Sequence, residues 1–286
     1  DYLREGQEPD EFEGVYGKNK VRQHMAANLA VVISSCDLYS DCWKPLFHSI
    51  HQYWSDCPYS IYLISNHKDS GDESIRTIKV GEHLGWGSNT KKALAEIHEE
   101  YILYLQEDYF LGAPMSTDAV EKHVHFCSDN NVDYIRLEAP YRDNLPIHGN
   151  IDYCEDPVAA KYAFSLQPSI WKKDSLHQFC IEGWTGWDYE RNICDYIQKN
   201  KINIRGSVVN SKRKADIGFP MVDGTGIRKG IWTREGYRYL IENGFNVEAA
   251  GRKVEGKFMS CCMKQHGFFK IPARVIIRIM QKFMSR

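Results

Sequence analysis

Residues 29–35 read LAVVISS, a short β-branched apolar run ending in small polar side chains, and this pattern predicts a strand buried on both faces. Residues 59–65 (YSIYLIS) repeat the pattern and end at Asn66. Residues 75–80 give a third, weaker strand, and residues 101–105 (YILYL) a fourth that runs into Glu107 and Asp108. Helical stretches separate them: residues 45–54, and residues 88–101 (SNTKKALAEIHEEY), where Ser88 or Asn89 supplies an N-cap. Strands alternating with helices predict an α/β fold with a mostly parallel central sheet and helices on its faces. Ligands of such sheets bind beyond the carboxyl ends of the strands, which here carry residues 34–37, Asn66 and residues 106–108.

The second half carries shorter expected strands at residues 134–137 and 163–167, a helix starting near Trp187, a Gly-rich polar stretch over residues 218–230 and a helix over residues 236–243. No internal repeat or low-complexity segment appears. The simplest division is a polar N-terminal extension (residues 1–28), one continuous domain (residues 29–252) and a basic C-terminal tail (residues 253–286). The extension is assigned no catalytic role.

The 286 residues, 43% of them apolar, supply ample material for a core. A formal net charge of -2 gives no global basic field, which argues against nucleic acid as a partner. Charge is nonetheless uneven: residues 1–14 carry six acids against Arg4, and residues 252–286 carry nine Lys or Arg against Glu255. Nine scattered cysteines without a Cys-x-x-Cys pair fit neither a zinc site nor a disulfide scaffold and read as reduced thiols. With no long apolar run and no signal-peptide core, the expectation is a cytoplasmic protein. Residues 271–286 place Arg274, Arg278, Lys282 and Arg286 at four-residue spacing among apolar side chains, a basic amphipathic helix. It suits either the inner face of an anionic cell membrane, as a peripheral contact, or packing on protein.

Three stretches carry candidate chemistry. Glu107 and Asp108 emerge where a buried strand reaches the crevice, and such a pair can hold Mg²⁺ or Mn²⁺ against a diphosphate; an acidic strand end exposed to solvent fits equally well. Residues 85–89 (GWGSN) put backbone N–H groups and a helix start near a bound phosphate or sugar, although a tight turn explains them more simply. Residues 182–190 (EGWTGWDYE) combine three acids with two tryptophans. Indole faces stack on sugars, and a carboxylate can take the proton of an attacking hydroxyl; the competing reading is an acid-capped helix start with core tryptophans. His48, His51, His123 and His125 lack a third ligand at metal spacing and read as structural or surface.

In their order and spacing, LAVVISSCD, YSIYLISN, LGWGSNTKKAL, YILYLQEDYFL, YAFSLQPSIWKKDSL, GWDYERNI and GIRKGIW resemble a family of bacterial GT-A-fold (Rossmann-like) glycosyltransferases of capsule, lipopolysaccharide and O-antigen biosynthesis, over about residues 29–252. The resemblance implies transfer of a sugar, with inversion, from a nucleotide-sugar donor, UDP-linked, to a glycan or lipid-linked acceptor. It implies nucleotide contacts from Ser34, Ser35, Asp37 and Asn66, with Trp86, Asn89 and Glu107 bordering the donor. Asp108 takes the position of the family's metal-binding acid, but the usual Asp-x-Asp is Gln106-Glu107-Asp108 here, so one metal-side acid is missing or displaced. Glu190 is the implied base, with Asp188 second, and Trp184, Trp187 and Trp232 face the acceptor. Arg228 and Lys229 lie on an implied mobile loop that closes over the diphosphate. A catalytically silent nucleotide- or glycan-binding module is the rival reading. A sugar nucleotidyltransferase is a weaker one, since no Gly-rich, Arg- and Lys-containing triphosphate loop follows the first strand.

Overall fold

A computed structural model of the chain describes residues 27–138, 145–147, 149–160, 162–222, 224–246 and 251–256. The expected run of four strands is present as β1 (Leu29–Ser34), β2 (Ser60–Ser65), β3 (Ile75–Lys79) and β4 (Tyr101–Gln106), all parallel, with β1 between β2 and β4. Every residue of β1 is buried because helices cover both faces, as an uninterrupted β-branched run requires. Alternate side chains feed two separate cores. Val31, Ile33, Leu63, Leu103 and Leu105 join one core together with α1 (Trp43–Tyr53), α3 (Thr117–Asn130) and α7 (Arg234–Glu242). Ala30, Val32, Ile64, Ile102 and Tyr104 join the other, with α2 (Trp86–Leu94), α4 (Lys173–Phe179) and α5 (Gly186–Lys199).

Beyond β4 the sheet continues through β7 (Ser169–Lys172), β5 (Tyr134–Arg136), β8 (Gly206–Val209) and β6 (Tyr153–Glu155), giving the order β3-β2-β1-β4-β7-β5-β8-β6. β7 runs antiparallel to both β4 and β5, and Ser169 pairs with Tyr104 on one side and Arg136 on the other. The chain leading into β7 therefore crosses the carboxyl edge of β4 and β5. The fold is thus α/β with a large, mostly parallel sheet between helical layers, closed by α6 (Lys214–Ile217) and a hairpin of β9 (Ile227–Arg228) and β10 (Ile231–Trp232).

Two expectations change. Residues 163–167 are not a strand: Tyr162 and Phe164 have φ of 61° and 55°, outside strand geometry, and the strand begins only at Ser169. The helix expected over residues 88–101 starts earlier and ends at Leu94, so that residues 95–100 can turn back into β4. The amphipathic helix at residues 271–286, most of the N-terminal extension and most of the C-terminal tail lie outside the described residues, among which no helix is long and apolar enough to cross a membrane.

His123 is the clearest structural histidine. It is fully buried on α3; Nε2 donates to the Ile217 carbonyl at 2.8 Å and Nδ1 accepts from the Tyr153 hydroxyl at 2.9 Å, the neutral tautomer. Burial pushes its pKa down to about 4. Below pH 6.5 the unfolded chain takes up a proton that the folded chain refuses, so stability should fall as pH drops from about 6.5 to about 4, by about 3 kcal/mol in all. Urea unfolding across that range should show a slope steeper by about one proton in the parent than in His123→Gln; equal slopes would contradict this assignment.

Candidate active site

The parallel strands end together at one edge, and the loops leaving them are tied to one another. After β1, the Asp37 carboxylate accepts from the backbone N–H groups of Asn66, His67 and Lys68 at 3.0–3.3 Å, while Asn66 Oδ1 accepts from Asp37 N and Asn66 Nδ2 donates to the Gly81 carbonyl. Burial works against the Asp37 charge, but these N–H donors outweigh it and hold its pKa below the usual carboxylate range. Asp37 and Asn66, implied nucleotide contacts, thus brace the ends of β1, β2 and β3 as one shelf. Ser35 accepts from the Trp43 indole at 2.7 Å, and Ser34 is buried at the end of β1.

At the end of β4 the two acids differ. Asp108 is 6% exposed; its Oδ2 accepts from Ile227 N at 2.8 Å and its carbonyl from Gly226 N at 2.9 Å, so it anchors the β9–β10 hairpin. The expectation of an Asp108 carboxylate presented to a ligand therefore meets a covered group, and half-buried Glu107 is the more open of the two. Both pKa values are raised by burial, and that of Glu107 also by the neighbouring Asp108 charge; Arg252 pulls both back. Among the described residues no cluster of three or more His, Cys, Asp or Glu side chains stands ready for a metal. A divalent cation here would rest on two carboxylates and take its remaining oxygens from diphosphate and water. That is a normal donor set for Mg²⁺, with Glu107 the more open ligand and Asp108 already accepting from Ile227 N.

The stretch holding Arg228 and Lys229 is a two-residue hairpin, not an open loop. Lys229 and Gly230 both have positive φ, 51° and 78°, which gives the turn the twist of its strands. The hairpin is tied down at each part: Arg228 to Glu255 at 2.9 Å, Thr233 Oγ1 to the Thr225 and Gly226 carbonyls, and Gly230 O to Arg252. Trp232, expected at the acceptor, is 1% exposed because residues 251–256 run beside β10 and Phe110 packs against its ring. It is a core residue.

Arg252 is a site residue that the sequence reading passed over. Its Nε and Nη2 form a two-pronged ion pair with Asp41 at 2.5 and 3.0 Å, Nη2 also reaches the Leu38 carbonyl, and the guanidinium lies over the Tyr39 ring at 4.5 Å. It thus clamps the loop after β1 to the hairpin over Asp108. A lone Arg in a basic tail gives no local signal of a partner 211 positions away.

The second acidic stretch reaches the same edge. Thr185 and Asp188 form a reciprocal capping box at the start of α5, and Asp188 Oδ1 also accepts from Arg191, so both oxygens of Asp188 are occupied within its own helix. Those hydrogen bonds hold its pKa below the usual range. Glu190, one half-turn on, is half-buried and its Oε1 accepts from Leu166 N at 2.6 Å. Burial raises its pKa, partly offset by the Leu166 N–H and by Arg136. Tyr109, directly after Asp108, donates its hydroxyl to the Leu166 carbonyl at 3.1 Å. Tyr109 and Glu190 therefore hold the same residue, Leu166, at the edge where β4 ends and β7 begins.

Residues 85–89 pack against residues 181–184. Gly87 N donates to the Trp184 carbonyl at 2.9 Å and Gly183 N to Ser88 Oγ, so the start of α2 faces protein carbonyls and not an open phosphate site. The Trp86 indole N–H donates to the Tyr104 hydroxyl at 2.8 Å and its ring packs on Tyr189, while buried Asn89 accepts from Leu84 N and bonds with His83. Both support the crevice wall. Trp184 is half-buried against Tyr196, whereas Trp187 is 66% exposed at the first turn of α5 and is the indole free to stack on a sugar.

No protein-family model matches the chain, and no curated protein matches its sequence. Among solved structures it is similar to S. aureus TarS at 12% identity, covering 64% of this chain and 35% of that one, with a TM-score of 0.43. It is similar to the mannosyltransferase PcManGT from Pyrobaculum calidifontis, in complex with GDP-Man and Mn²⁺, at 13% identity, covering 53% and 46%, TM-score 0.38. It is also similar to a cytidylyltransferase from Leptospira borgpetersenii at 10% identity, covering 69% and 82%, TM-score 0.38. Likenesses this partial leave the chemistry to be argued from the residues.

Proposed function

We propose that the chain is a glycosyltransferase that takes a sugar from a UDP-linked donor and passes it, with inversion, to a hydroxyl of a glycan or lipid-linked acceptor in surface polysaccharide synthesis. The observation that carries this reading is that Tyr109, the residue after Glu107 and Asp108, and Glu190 both bind Leu166, on the loop that leads into β7. The donor's nucleotide lies along the shelf of Ser34, Ser35, Asp37 and Asn66, and its diphosphate approaches Glu107. Glu190 takes the proton of the acceptor hydroxyl as that oxygen bonds to the anomeric carbon and the bond to the diphosphate breaks. Asp188, spent on its helix, is the weaker candidate. Exposed Trp187 presents an apolar face to the acceptor, with Trp184 behind it. Lys229, at the turn of the hairpin anchored on Asp108, would offer positive charge to the departing diphosphate, while Arg228 is held by Glu255. Glu107 and Asp108 would hold a divalent cation, whose chemistry when bound is to neutralise charge on that leaving group. The basic segment at residues 271–286 would keep the enzyme at the cytoplasmic face of the membrane.

A panel of UDP-, GDP- and CDP-sugars, assayed with and without EDTA, tests this. At least one donor should raise the melting temperature and release its free nucleoside diphosphate, faster with Mg²⁺ or Mn²⁺ present. Stabilisation without release from any donor would favour the silent binding module; neither effect would overturn the proposal.

A further inference from the structure

Outside the reacting groups, the strongest unexplained feature is a charged side chain sealed beneath the loop that meets Glu190. Arg136 ends β5 and is 3% exposed. Its Nη1 donates to the Tyr162 carbonyl at 3.1 Å and approaches Ser165 Oγ at 3.4 Å, while Nε and Nη2 make no hydrogen bond. Its ion-pair partner Asp156 stands at 3.8 Å, too far for a hydrogen bond. A buried guanidinium this incompletely satisfied is costly, and charge without full compensation concentrates where a function uses it.

The loop above it is gripped from below at every carbonyl over residues 162–166. Tyr162 O receives Arg136, Ala163 O receives the Cys194 thiol, Phe164 O receives Tyr189, Ser165 O receives Tyr134 and Leu166 O receives Tyr109. Leu166 N is given to Glu190. Cation and carboxylate thus hold the two ends of the same five-residue loop.

We infer that Arg136 is a positioning residue for Glu190: from beneath the loop, its guanidinium fixes the backbone that orients the carboxylate and places a positive charge on that side of it. This rests on the reading of Glu190 as the base. The charged and titratable groups facing Glu190 are Arg136 and Tyr134 from β5, Tyr109 after β4, and Tyr189 and Cys194 on its own helix, with Asp156 behind Arg136. Arg136 is the cation in that set. Burial raises the Glu190 pKa and Arg136 lowers it, so removing Arg136 leaves the burial effect unopposed by charge.

The test uses the full chain with ¹³C-labelled glutamate, the Glu190 carboxyl signal being assigned by its loss in Glu190→Gln. In Arg136→Met the Glu190 titration midpoint should rise, and in Arg136→Lys, which keeps the charge, it should rise less. The acid limb of kcat/KM should move with it, with kcat more affected than KM. An unmoved midpoint in a folded Arg136→Met overturns the inference. Should that variant fail to fold, Arg136→Gln, which removes the charge but keeps a donor for the loop carbonyl, decides: a raised midpoint with the acid limb following supports the inference, and an unmoved midpoint overturns it. The carboxyl titration needs no turnover, so normal transfer by Glu190→Gln would sink the base assignment while leaving the electrostatic coupling separately decided.

Discussion

Replacing Glu190 by Gln should slow sugar transfer by about 10²- to 10⁴-fold, the usual contribution of a positioned general base, with little change in donor affinity. The substitution is conservative for the fold, since a Gln carbonyl oxygen can still accept from Leu166 N, where Glu190 now accepts at 2.6 Å. What is lost is the capacity to take a proton. Asp188→Asn supplies the contrast: both Asp188 oxygens serve the helix start, so this variant should lower the melting temperature slightly and leave turnover within a few-fold of the parent. Nucleoside diphosphate release under saturating donor, with binding measured separately by calorimetry, distinguishes the two. Near-normal turnover by Glu190→Gln together with a collapse in Asp188→Asn would reverse the assignment.

The largest effect on stability should come from Gly87→Ala. A Cβ there would stand 2.0 Å from the Ile181 carbonyl oxygen and 2.9 Å from the Ile181 carbonyl carbon, both backbone atoms with no side-chain freedom to move aside. The same glycine donates its N–H to the Trp184 carbonyl, so relief by separation also breaks that bond. We expect a loss of about 3 kcal/mol or more by urea unfolding, at the upper end of overpacking effects. Activity should fall as well, because residues 181–184 lead directly into the turn that carries Glu190. Gly183→Ala is the informative control: its φ of 76° disfavours Ala, but no atom lies within 4 Å of the added Cβ. Its cost should stay near 1 kcal/mol. Equal unfolding midpoints for the two variants would mean that α2 does not rest on this segment in solution.

β1, β2 and β4 were legible because each is a continuous apolar run, and burial on both faces leaves such a run no other use, whereas β3, an edge strand with Arg76 and Lys79 exposed, gave a weaker signal. The start of α5 was legible for a different reason, the acids of residues 182–190 that suit a helix start, and the structure adds the Thr185–Asp188 capping box. Residues 163–167 misled because AFSLQ has strand-like composition, whereas its conformation is set by five side chains that arrive from other elements. Tertiary hydrogen bonds there override local preference. Trp232 misled in the same way: a tryptophan in a polar, Gly-rich stretch looks available, yet Phe110 and residues 251–256 cover it. Of the candidate site, the acids were visible and their unequal exposure was not. Arg136 and Arg252 could not be recognised at all, since an arginine's meaning lies in partners far along the chain.

The strand order also dictates a timetable for the newborn chain. β1, β2 and β3 have all their ladder partners once residue 106 has been made, and β4 has the first of its two. β5 is different: its two neighbours, β7 and β8, are both made later, and β4 likewise waits for β7 to cover its free edge. Residues 134–136 must therefore leave the ribosome with no strand to join until about residue 172 follows. Through that interval the half-built sheet exposes the hydrogen-bonding edge of β4 and its apolar side chains, which makes this stage of synthesis the moment of greatest exposure to aggregation and to chaperones.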